Sequence, residues 1–161
     1  MKKLAEVLIE RKQVNDQIQA LLDRMQRSSM FPEGDAPDED VTVLGGMLEE
    51  AFIRYAKLDF AISSTNASIY IPGQTFTVLT AINKRDLAKR RQQAYLSIAN
   101  NLSRAGERHS FFGRRRDESQ PKMVKPLSFS TYQTMADVNA KEFRAFDVMI
   151  QAANWQIEVD V

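Results

Sequence analysis

A chain of 161 residues with 43% apolar content is enough for one modest core and short for two comfortable domains. Lys and Arg number 22 against 21 Asp and Glu, so a net charge of +1 gives no global pull toward nucleic acid or an anionic membrane. Cysteine is absent, which excludes disulfides, thiolate nucleophiles, iron–sulfur clusters and cysteine-ligated zinc, and leaves packing alone to hold the fold.

At the start, Met1-Lys2-Lys3 leads into a segment interrupted by Glu6 and Glu10, which spoil the apolar stretch of a secretory signal, and no window is apolar for the length of a membrane span. A cytoplasmic location is expected. Leu4, Val7, Val14, Ile18, Leu21 and Met25 alternate in three-four spacing, predicting a helix over residues 3–27 with one apolar stripe. Arg11 takes the place in that stripe between Val7 and Val14, as a snorkelling or paired arginine or as part of a ligand site.

Ser28 to Asp40 reads as a linker punctuated by Pro32, Gly34 and Pro37, with its acidic residues gathered at the positive end of the next helix rather than spaced as a calcium loop. A second helix over 38–64 keeps Leu44, Leu48, Ala51, Tyr55, Leu58 and Ile62 on one side. Gly45-Gly46 weakens its first turns, shifting the start of firm helix toward Met47. Ser63 to Gly73 mixes polar turn residues with Ile69-Tyr70-Ile71, and Pro72-Gly73 signals a turn.

Thr75 is a suitable N-cap for a third helix over 75–103, with Leu79, Ile82, Leu87, Ala94, Ile98 and Leu102 facing inward. Its middle is crowded by Lys84, Arg85, Asp86, Lys89, Arg90 and Arg91, so this stretch is exposed or is supported by partner acids. Periodicity then vanishes over 104–130, a long loop. Ser130 or Thr131 caps a fourth helix over 131–155, with Tyr132, Met135, Val138, Phe143, Phe146, Met149, Ile150 and Ala153 inward. The fold class is therefore all-α: long antiparallel helices in a coiled-coil-like bundle, one domain, one long loop between the third and fourth helices.

Lys3-Leu4-Ala5-Glu6 with Glu10-Arg11, Thr65-Asn66 with Gly73 and Thr75, Arg85-Asp86, and Ile150-Gln151 with Asn154-Trp155 follow one another along nearly the whole chain. In that order, with the acidic linker between the first two helices, the sequence resembles the small bacterial DIP1984-like family, some of whose members are labelled septicolysin. The resemblance implies an all-helical coiled-coil fold without an established activity. The label implies membrane damage, which nothing in the composition supports. Gly45-Gly46 and the stretch from Phe111 to Gln120 depart from the family pattern.

The chemistry is mostly exclusion. His109 is the only histidine, so a di-iron bundle cannot be built and a Ser-His-Asp arrangement would rest on a loop residue. No glycine-rich phosphate loop is present, and Glu6 and Glu10, four apart on a helix, read as a salt-bridged face. No catalytic residue, metal or cofactor is expected, and the chain is read as a non-enzyme.

Two constellations remain. Arg11, Asn66, Arg85, Asp86, Asp147 and Asn154, with Trp155 beside them, lie at or next to helix seams, where they form a register-fixing polar network or line a small polar pocket. Phe111, Phe112, Arg114, Arg115 and Arg116 lie within 104–125, which carries seven basic and three acidic residues. That segment is a solvated loop, or it grips single-stranded nucleic acid or an anionic membrane. Helices this long form a thin rod that leaves Phe52, Phe60 and Tyr95 poorly covered, so a homo-oligomeric scaffold or interaction module is the leading expectation.

Overall fold

The computed structural model describes residues 1–111 and 128–161, with side chains for 1–104 and 128–161. Four helices dominate: α1 (Leu4–Ser28), α2 (Val41–Ser68), α3 (Val78–Phe111) and α4 (Phe129–Gln156). Two short strands, β1 (Lys2–Lys3) and β2 (Glu158–Val159), complete the described elements. The all-α expectation holds. Contacts divide the chain into one unit of Met1–Leu79 with Ile150–Val161 and another of Thr80–Met149.

In the first unit, α1 and α2 pack as an antiparallel pair. Leu4, Val7, Val14, Ile18 and Leu21 of α1 are buried, as are Leu44, Ala51, Leu58 and Ile62 of α2, which is the outcome three-four spacing dictates. The Glu6 carboxylate accepts a hydrogen bond from the Lys3 backbone N–H at 2.8 Å and so closes the start of α1. Asp40 caps α2 by accepting from the Thr42 N–H at 2.8 Å, while Glu39 beside it pairs with Arg24 instead.

The bounds of α2, α3 and α4 differ from the sequence reading. Helix α2 is continuous from Val41 through Gly45-Gly46 and on to Ser68, because Asp40 supplies the cap and Leu44 is buried one residue before the glycines. Thr75 does not cap α3. The backbone before Val78 is held in a tight reversal, with Gly73 at φ 75°, a bridge between Tyr70 and Thr77, and the Val78 N–H donating to the Ile69 carbonyl at 3.1 Å. Helix α3 runs to Phe111 rather than 103, and α4 starts at Phe129 with Ser128 as its cap, the Ser128 Oγ accepting from the Thr131 N–H at 3.2 Å.

The strands were not foreseen. Lys2 pairs with Val159 and Lys3 with Glu158 in an antiparallel ladder, reinforced by the Leu4 N–H donating to the Ile157 carbonyl at 2.9 Å and by a Lys3–Glu158 ion pair at 2.8 Å. Ile157 and Val159 are buried, so the clasp also extends the core.

In the second unit, α3 and α4 run antiparallel. Within this unit their buried residues are Ala81, Ala88 and Ala99 against Ala136 and Ala140, whereas Leu87, Ile98 and Val138, read as inward from sequence, are exposed, as is Leu79 of the first unit. Small side chains allow close helix approach, and the larger apolar residues are displaced to the flanks. The crowded cations of α3 find aromatic support as well as acids: Lys84 lies over the Phe146 ring at 5.8 Å and Lys89 over Phe143 at 5.9 Å. Tyr95, expected to be poorly covered, is half-buried with its ring 6.4 Å from that of Tyr132.

Candidate interaction surface

Helix α2 uses one side for the core and presents a second apolar stripe on the opposite side. Leu44, Ala51, Leu58 and Ile62 face inward, and at 3.6 residues per turn Ile53, Ala56 and Phe60 point directly away from them. Phe60 is 77% exposed and Ile53 53%, and Phe52, on the adjoining flank, is 44% exposed. A phenylalanine left this open gains nothing from the chain's own core, and such residues gathered on one face mark a surface for another molecule.

Gly46 lies on the same stripe, two turns before Ile53. Among the described residues a Cβ placed there would meet nothing within 4 Å, and its φ is not in the left-handed region, so neither their packing nor turn geometry accounts for a glycine. Glu49 and Lys57 flank Ile53, one turn before it and one turn after; both are exposed and neither forms an ion pair among the described residues.

The neighbouring edge of the pair is closed by ions. The Glu10 carboxylate holds the Lys2 ammonium at 2.6 Å and the Arg54 guanidinium at 2.5 Å, and these cations hold its pKa below the usual carboxylate value, the Lys2 hydrogen bond first. A shallow groove of about 460 Å³ lined by Lys2, Glu6, Ile9, Glu10, Gln13 and Arg54 is thus lined by charges that already satisfy one another. Glu10 forms the salt bridges expected of this face, whereas Glu6 accepts the Lys3 backbone N–H instead.

The seam residues divide between the units. In the first, Arg11 reaches Asp59 of α2 at 2.7 Å, a paired arginine whose partner sequence reading did not name; Asn66 is half-buried, Asn154 is buried, and Trp155 is 58% exposed. In the second, Arg85 contacts its neighbour Asp86 at 2.9 Å and Asp147 of α4 at 3.5 Å, so these three are brought together. Arg85 is one-quarter exposed and the two carboxylates 40–50%, a partly solvated cluster. Phe111 ends α3 with its side chain outside the described residues, where Phe112, Arg114, Arg115 and Arg116 also lie. Among the described residues no group of three or more acidic, His or Cys side chains could hold a metal ion.

The chain is similar to a protein of known structure from Corynebacterium diphtheriae, described as a functionally unknown conserved protein, with a TM-score of 0.83, 28% sequence identity and coverage of 99% of both chains. No curated protein matches it. Residues 11–159 match the model of a family of unknown function, DUF6847, and the chain belongs to that family.

Proposed function

We propose that this protein is a non-enzymatic, cytoplasmic interaction module that works by self-assembly. The observation that carries this reading is the outward face of α2, where Phe60 and Ile53 are exposed together on the side opposite the core, with Phe52 exposed on the adjoining flank. A surface of that kind binds by covering apolar area, and its natural occupant in a nearly neutral protein is another helix. The DIP1984-like resemblance fits this reading, since it implies a helical coiled-coil fold without an assigned reaction. For the septicolysin label, the relevant fact is that no described helix is long and apolar enough to cross a membrane.

The mass in solution tests the proposal. Light scattering at micromolar concentration is expected to read at least twice the chain mass of 18.4 kDa, and a clean monomer removes the reading. The competing use of segment 104–125, with its seven basic residues, predicts salt-sensitive binding to single-stranded nucleic acid or anionic vesicles instead.

A further inference from the structure

The outward stripe of α2 has a symmetry in its sequence. Gly46, Glu49, Ile53, Lys57 and Phe60 follow one another at spacings of three, four, four and three, so Ile53 is the midpoint of a palindrome. Glu49 and Lys57 stand about 6 Å either side of it along the axis, and Gly46 and Phe60 about 10 Å. Each pair is complementary: one acid with one base, and the smallest side chain with a large exposed one. Glu50, next to Glu49 and also exposed, adds a second acid on the Lys57 side of the stripe when the helix is turned end for end.

We infer that a second copy of this chain packs its α2 antiparallel on this face, with the two-fold axis at Ile53, Phe60 of each copy seated over Gly46 of the other, and Lys57 of each between Glu49 and Glu50 of the other. This rests on the self-assembly proposed above and specifies its interface. A two-fold operator running across a helix reverses its direction, so residues equidistant from the midpoint meet, and every contact occurs twice. Lys57 and Glu49 have no oppositely charged residue three or four positions away on their own helix, and Arg54, four residues after Glu50, is engaged by Glu10. Charges without local partners that bracket an apolar stripe are the arrangement that fixes register between helices. The same geometry accounts for Gly46, since a glycine that weakens its helix, and whose Cβ position meets nothing among the described residues, makes room for the partner's Phe60.

A mixing experiment tests the interface in the full chain. Sedimentation equilibrium is run on the wild type, on Lys57→Glu, on the double variant Glu49→Lys/Glu50→Lys, and on an equimolar mixture of the two variants. Each variant alone sets like charges against each other twice and is expected to raise the dimer dissociation constant about a hundredfold or more. The mixture restores opposite charges at both contacts and is expected to return to near wild-type affinity. Variants that associate as tightly as the wild type overturn this interface while leaving self-assembly standing. Loss in each variant without recovery on mixing overturns the antiparallel pairing. A monomeric wild type overturns both this inference and the reading beneath it. All substituted positions are exposed, and unchanged circular dichroism identifies loss of association rather than of folding.

Discussion

Glu10 of α1 binds Lys2 at 2.6 Å with one carboxylate oxygen while its other oxygen takes Arg54 of α2 at 2.5 Å, so a single side chain ties the first residues of the chain to the second helix. Its folded-state pKa lies below the ordinary value because both cations favour the ionised form. A depressed carboxylate contributes stability above its unfolded pKa, and that contribution is lost as pH falls through the folded pKa. Glu10→Gln is expected to destabilise the protein by about 1 kcal/mol near pH 7, with both cations partly solvated, and by nothing in acid where the wild-type carboxyl is protonated. Urea denaturation across that pH range reads the difference, and a pH-independent loss contradicts the ion-pair origin.

Arg85→Ala is expected to lower stability by about 1 kcal/mol. The larger penalty of a stranded buried charge does not apply, because Asp86 and Asp147 remain 40–50% exposed and regain water when the guanidinium is removed. Thermal unfolding of this variant beside Asp147→Ala checks the value, and a loss several times greater would place the cluster in a fully desolvated setting.

Gly46→Ala separates folding from association. With no atom of the described residues near the added methyl, the substitution is expected to stabilise an isolated chain by about 0.5–1 kcal/mol through helix propensity. The same methyl meets Phe60 of the second copy and is expected to weaken the dimer about tenfold. Denaturation at low concentration and sedimentation at high concentration measure the two effects, whose opposite signs are the expected outcome.

Deleting Phe112 to Gln120 is expected to leave helicity and oligomeric state unchanged, because the stretch has no core periodicity and residues 121–127 remain to link the two helices. Circular dichroism and light scattering follow the result. If the wild type binds anionic vesicles or single-stranded nucleic acid, the deletion removes that binding, and a dimer lost on deletion contradicts the assignment of the interface to α2.

Helix number, order and approximate bounds were legible because three-four spacing of large apolar residues is a local signal, as the buried set of α1 shows. What faces inward on α3 and α4 was not, because hydropathy favours Leu79, Leu87 and Val138 while close helix approach favours Ala81, Ala88 and Ala136. Thr75 failed as a cap for a non-local reason: the Tyr70–Thr77 bridge holds the chain out of helix until Val78. Exposure of Phe52 and Phe60 was foreseen from the length of the helices, but the alignment of Phe60 with Ile53 on the outward face of α2 becomes evident only once the inner face is fixed. The seam residues were recognised as polar positions, and their partners were assigned by packing: Asp59 for Arg11, Asp147 for Arg85.

The ladder that joins Lys2–Lys3 to Glu158–Val159 sets an order of events during folding. Closing a loop across nearly the full sequence carries an entropy penalty of about 4–5 kcal/mol from chain length alone, more than two residues of strand pairing return. The ladder therefore forms after the helices have brought its halves together, and a fluorescent pair placed at the two ends would report the last step of folding rather than the first.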